Sequence, residues 1–126
     1  LGPEETKHAR KVLRVGRGDP IELFDGTGRV GAALLESYGE HGAVCLVTAI
    51  TEMPPLLPRI TVAGAVPKGS RADDMVNQLS QLGCNRFVPI TTEHSVVDPR
   101  DGKIDRFRRI AIESAKQSGR LTLMQI

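Results

Sequence analysis

Apolar and polar positions change rhythm once along this chain, at a proline-rich stretch near residue 55. Before it, apolar residues come in short runs, Ile21 to Phe24, Val30 to Leu35 and Ala43 to Ile50, each flanked by turn-forming residues. Runs of this length, enriched in Val and Ile, predict strands. Asp25-Gly26-Thr27-Gly28 lies between the first two and tolerates positive φ, so it predicts a hairpin. Pro3 through Val15 predicts a helix instead: proline and acids open it, basic residues close it, and Gly16 follows as a stop. Ala9, Val12 and Leu13 are its expected core stripe, with Lys7, Arg10, Lys11 and Arg14 facing water. Short strands at this spacing predict a small barrel.

Met53-Pro54-Pro55-Leu56-Leu57-Pro58 is a stiff break, since each proline removes a donor and restrains the residue before it. It predicts a domain boundary, with residues 1–56 as one domain and 57–126 as the next. Beyond it the pattern alternates: strand Ile60 to Val66, helix Arg71 to Leu82, strand Arg86 to Ile90, helix Ile104 to Ser118, strand Leu121 to Ile126. Such alternation predicts a parallel α/β sheet. Ser70 and Asp73 stand at capping-box spacing, Met75, Val76, Leu79 and Leu82 form an apolar stripe, and Gly83 is a stop. In the later helix Ile104, Phe107, Ile110, Ala111 and Ala115 share one face, while Arg106, Arg109, Glu113 and Lys116 fall on another. Three strands make an unfinished doubly wound domain. The expected fold is therefore a two-domain α+β and α/β chain, an antiparallel barrel followed by an incomplete parallel unit.

Composition narrows this picture. With 126 residues, 40% of them hydrophobic, the chain can bury one ordinary core or two small ones. No apolar run approaches the roughly 20 residues that span a bilayer, so no membrane association is expected. Cys45 and Cys84 lie in separate apolar runs without C-x-x-C spacing, which predicts buried reduced thiols and no metal site. Residues 1–56 hold six basic and eight acidic side chains, and residues 57–126 hold eleven and seven. Within the acidic half, Lys7, Arg10, Lys11, Arg14 and Arg17 nevertheless cluster into a local patch suited to phosphates, or to plain solvation of a helix face.

Gly26-x-Gly28-x-x-Gly31, with Glu52 downstream, matches a dinucleotide fingerprint. Arg29-Val30-Gly31 is a poor helix start, however, and Asp25 would set negative charge beside a pyrophosphate. Gly64 to Ser70 lacks the G-K-[ST] of a phosphate loop. Lys68 and Arg71 fall at the carboxyl end of a predicted parallel strand, where such sheets bind ligands. Arg120, after Gly119, suits either a phosphate contact or a cap on the preceding helix. Glu93 and His94 can accept a proton on chemical grounds, or form a structural pair at a strand end. His8 reads as structural and His41 as a turn residue. Only four aromatic residues are present, which argues against a base-stacking platform and for recognition by charge and shape.

An ordered set of segments adds to this reading: His8-Ala9-Arg10-Lys11-Val12-Leu13-Arg14, Gly18-Asp19, Leu23-Phe24-Asp25-Gly26, Pro67-Lys68-Gly69, Leu82-Gly83, Thr92-Glu93-His94-Ser95-Val96-Val97, and Glu113-Ser114-Ala115-Lys116-Gln117-Ser118-Gly119-Arg120. In order and spacing it resembles the ribosomal RNA small-subunit methyltransferase E family over nearly the whole chain. The resemblance implies a PUA-like barrel joined to a SPOUT-type domain whose C-terminal knot binds S-adenosylmethionine. It also implies a cytoplasmic homodimer that methylates N3 of a uridine in small-subunit (16S) ribosomal RNA. Arg10, Lys11, Arg14, Lys68, Arg71 and Arg120 are then the expected RNA contacts, with Glu93 and His94 as catalytic candidates. The family's Gly-Pro-Glu-Gly-Gly run is not reached by Ile126, so no cofactor-binding residue is expected here, and a short strand is expected before Leu1. The sequence departs from the family at Gln78, where lysine is common, at Gln81, where glutamate is common, and at His94, where arginine follows the glutamate. Lost charge at these positions bears on RNA or active-site contacts. Two other classes fit the residues less fully: a non-catalytic RNA-binding module, and a dinucleotide-binding oxidoreductase. The latter requires Val30 to Leu35 to be helical.

Overall fold

The computed structural model describes the backbone of residues 1–126 and every side chain except that at position 101. It forms two compact units, Leu1–Met53 and Pro54–Ile126.

The first unit contains α1 (Pro3–Lys11), β1 (Pro20–Phe24), β2 (Arg29–Gly39) and β3 (Gly42–Glu52). The strands pair antiparallel in the order β1-β2-β3, with Phe24 opposite Val30 at one hairpin and Gly39 opposite Gly42 at the other. Register shifts between Ala32 and Ala33 and between Leu35 and Ser37 mark bulges in the long β2–β3 ladder. On β3's other side, Leu1 and Ala43 exchange two backbone bonds, of 2.8 and 3.2 Å.

Two expectations for α1 fail together. The helix ends at Lys11 instead of running to Val15, because the Val12 and Leu13 amides both turn to the His8 carbonyl and Arg14 adopts a left-handed φ of 55°. Val12 and Leu13, expected in the core, are 65% and 62% exposed. Only Ala9 of the helix is buried. The core of this unit is correspondingly thin, comprising Ala9, Ala33, Leu35 and Ala43, with Leu35 its one large fully buried side chain. Cys45 is half-buried, so the expectation of a buried thiol fails there.

The second unit contains β4 (Thr61–Ala65), α2 (Ser70–Leu82), β5 (Arg86–Ile90) and α3 (Asp101–Ser118). β4 and β5 pair in parallel from Thr61 opposite Arg86 to Ala65 opposite Ile90. The expected third strand shrinks to isolated bridges, among them a parallel one of Gln125 beside Arg86, held by backbone bonds to Phe87 and Asn85. The Arg120 amide bonds the Ala115 carbonyl, so the chain stays tied to the helix end as it leaves α3.

Val66, Ala72, Val76, Cys84, Phe87, Phe107, Ala111 and Met124 form the core, with Phe87 and Phe107 edge-to-face at 6.4 Å. Buried serines link α2 and α3 in both directions: Ser80 Oγ donates to the Ala111 carbonyl (3.2 Å) and Ser114 Oγ to the Asn77 carbonyl (3.0 Å). The Cys84 thiol is buried and donates to the carbonyls of Arg86 and Ile60 at 3.1 and 3.4 Å.

The Ser70/Asp73 capping box does not form. Gly69, at φ 66° and ψ −145°, takes the cap position, and no side chain caps the helix. Asp73 instead receives Arg106 of α3 in a two-pronged pair, with Nε to Oδ1 at 3.1 Å. Leu82, expected on the buried stripe, is 78% exposed. Gly83 ends α2 in the left-handed conformation, where only glycine sits without strain. No helix among the described residues is long and apolar enough to cross a membrane.

Candidate nucleic-acid interface

In the first unit the basic residues from Lys7 to Arg17 are divided between a helix and a loop. Lys7, Arg10 and Lys11 are exposed on α1, while Arg14 and Arg17 are exposed in the loop that follows, so the expected helical ridge is part helix and part loop. The loop is well tied. Gly18 donates to the Leu35 carbonyl, Leu35 to the Asp19 carbonyl, and Gly16 to the Asp19 carboxylate at 2.7 Å. Sequence reasoning missed Tyr38 of β2. Its Oη donates to the Val15 carbonyl at 2.7 Å, and the Arg10 guanidinium lies 5.4 Å from its ring centroid. These contacts span 23 and 28 positions of sequence, and no local signal announces them. The arrangement presents several cations on an anchored surface, as phosphate binding requires.

The glycine fingerprint serves another purpose. Gly26 and Gly28 have φ of 79° and 107° in the β1–β2 turn, and Val30 to Leu35 is strand, not helix. Asp25 Oδ1 accepts from the Thr27 hydroxyl, the Thr27 amide and the Arg29 amide at 2.7, 2.8 and 3.3 Å. These bonds, the hydroxyl's first, hold its carboxyl below the ordinary aspartate range. A carboxylate buttressing a hairpin leaves no helix N-terminus to take a pyrophosphate, and the oxidoreductase reading is overturned.

In the second unit the parallel pairing sets Ala65 and Ile90 side by side, so the segments after β4 and β5 leave the same sheet edge. Lys68 lies in the first segment and Arg71 in the first turn of α2, both exposed. Glu93 and His94 occupy the tip of a turn closed by the Ser95 amide on the Thr92 carbonyl (2.9 Å) and the Thr92 amide on Ser95 Oγ (2.7 Å). They sit exposed in this turn, beyond the end of the strand. Topology thus brings Lys68, Glu93 and His94 to one edge, the carboxyl end where α/β sheets hold ligands.

Arg120 lies elsewhere. Its Nε donates to the Gln81 carbonyl at 2.8 Å and its guanidinium covers Gly83, so its side chain caps α2, while its amide caps the preceding α3 at the Ala115 carbonyl. Gln78 is exposed, and Gln81 Nε2 donates to Asn77 at 2.9 Å. One open groove runs along Arg71, Met75, Gln78 and Leu82, and another along Arg86, Arg108, Ile112 and Ile126. Both are largely apolar.

Comparison with known proteins follows the division into units. A sequence profile for the RNA methyltransferase domain matches residues 54–126, and one for the RNA methyltransferase PUA domain matches residues 1–48. Ribosomal RNA small subunit methyltransferase E of Synechocystis sp. is 34% identical over 120 residues, 95% of this chain and 39% of its own length. A probable rRNA-methyltransferase of known structure from Porphyromonas gingivalis superposes with a TM-score of 0.89 at 32% identity, over 100% of this chain and 53% of that one. Ribosomal RNA small subunit methyltransferase E from Neisseria gonorrhoeae, solved bound to S-adenosyl methionine, superposes with a TM-score of 0.86 at 29% identity and the same coverages. The chain therefore spans about half the length, or less, of these relatives.

Proposed function

Because the chain belongs to the RNA methyltransferase family, we propose that it serves S-adenosylmethionine-dependent methylation of small-subunit ribosomal RNA, at N3 of a uridine. On this reading residues 1–56 grip the RNA and residues 57–126 contribute part of the methyltransferase domain of a cytoplasmic homodimer. The observation that carries it is the exposed basic segment Lys7 to Arg17, anchored within the unit that matches the PUA profile.

Methyl transfer to uracil N3 asks the protein to hold the base edge in line and to help a proton leave. At the carboxyl edge of the β4–β5 pair, Lys68 and Arg71 supply charge for the RNA backbone, and Glu93 and His94 are the groups there able to accept a proton. Arg120 is assigned to RNA contact through whatever of its guanidinium the Gln81 bond leaves free. S-adenosylmethionine supplies the methyl group. The contribution proposed for these residues lies with the RNA.

Replacing Arg10 and Arg14 together with alanine tests the reading. Affinity for a small-subunit ribosomal RNA transcript is expected to fall, and the dependence of log K on log salt to flatten by up to about one unit per lost phosphate contact. Both side chains are exposed, so the fold survives. A folded double variant with unchanged affinity and unchanged slope would make the segment a solvated surface only.

A further inference from the structure

Tyr38 is the chain's only tyrosine, it is half-buried, and it touches both parts of the basic segment. Its ring lies under the Arg10 guanidinium at 5.4 Å, and its hydroxyl holds the carbonyl of Val15, the residue after Arg14 with its φ of 55°. Among the described residues no carboxylate pairs with Arg10, whereas Arg29, Arg100, Arg106 and Arg108 each meet one. An aromatic partner differs from a carboxylate in what it leaves free. It engages the face of the guanidinium and spares the N–H groups around its edge, which form the fork that binds a phosphate in two-pronged fashion.

We infer that Tyr38 is a positioning residue for RNA binding: its ring holds Arg10 with the hydrogen-bonding edge free for a backbone phosphate, and its hydroxyl fixes the loop that carries Arg14 and Arg17. This rests on the RNA reading above and extends it to a residue that itself touches no phosphate. Leucine would fill the space but present no π face. Phenylalanine would keep the face and release the loop.

The test is a double-mutant cycle on the 126-residue chain, with the small-subunit ribosomal RNA transcript as probe. Tyr38→Leu should weaken binding about two- to fivefold, the size of an exposed cation–π contact, and lower the salt slope as Arg10→Ala does. In an Arg10→Ala background it should cost less than in the wild type, whereas Tyr38→Phe should retain the Arg10 share of the slope. Additive losses, or an unchanged Tyr38→Leu affinity, overturn the inference. Should Tyr38→Leu unfold, the protein with Tyr38 intact still decides: with ring-labelled tyrosine, the single set of ring signals should move on RNA addition and move less in Arg10→Ala, and a ring unmoved at saturating RNA, or moved equally in Arg10→Ala, overturns the proposal. A wild-type chain that does not bind the transcript removes the functional reading itself, whereas binding without coupling between Tyr38 and Arg10 removes only this inference.

Discussion

In the first unit, backbone pairing across three strands surrounds a core of three alanines and Leu35; in the second, two helices and a parallel pair close over Phe87, Phe107, Val76 and Met124. The first places its interactions in ladders, turns and loop anchors near water, and its surface can carry a dense basic segment at little cost to packing. The second places them in close-packed side chains, where a lost methylene is felt. A binding surface needs a fixed backbone more than a deep core. A domain that must hold two loops at one sheet edge needs its helices immobilised.

The largest expected effect tests this contrast directly. Phe107→Ala should destabilise the second unit by about 3–5 kcal/mol, the range for a buried aromatic truncation. Amide exchange should then show Cys84 and Phe87 losing protection while Ala33 and Leu35 keep theirs. Equal loss in both units would break the comparison. A smaller effect is expected at the α2–α3 contact, where Ser80→Ala removes one buried hydrogen bond and should cost about 1 kcal/mol by denaturant midpoint, with the same confinement to the second unit.

The smallest effect sharpens the first unit's side of the comparison. The Asp25 carboxyl is held below its ordinary range in the folded hairpin, chiefly by the Thr27 hydroxyl. Its contribution is fully present above the ordinary aspartate value and is lost as pH falls through the lower, folded value. Hairpin signals around Thr27 and Arg29 should weaken across that acidic window. Asp25→Asn should abolish this pH dependence, and an identical acid profile in the variant would show that the turn does not depend on the carboxylate.

Much of this was legible in the sequence because it is local. Period and turn chemistry marked the hairpin at Asp25, the proline break, the two long helices and the parallel strands, and Gly83 and Gly119 end their helices as glycine stops do. The failures share a cause. Val12 and Leu13 have the right spacing for a buried stripe, but spacing cannot say whether a surface exists for them to meet. Ser70 and Asp73 have the capping interval, yet Gly69 takes the cap and Arg106, 33 positions away, claims the acid. The candidate residues divide the same way. The exposure of Arg10, Lys11, Lys68 and Arg71 followed from polarity, whereas Tyr38 under Arg10 and Arg120 against Gln81 are long-range contacts that no local pattern encodes.

The two sulfurs described earlier turn this division into a clock. Each unit holds one cysteine, Cys45 half-covered on β3 and Cys84 sealed behind the carbonyls of Ile60 and Arg86. A cysteine thiolate attacks a thiol reagent, and the reagent reaches a sealed sulfur only when its surroundings open. The alkylation rate of Cys84 therefore counts openings of the second unit, while the half-exposed Cys45 reacts without waiting for one, and a time course of peptide masses separates the two half-lives.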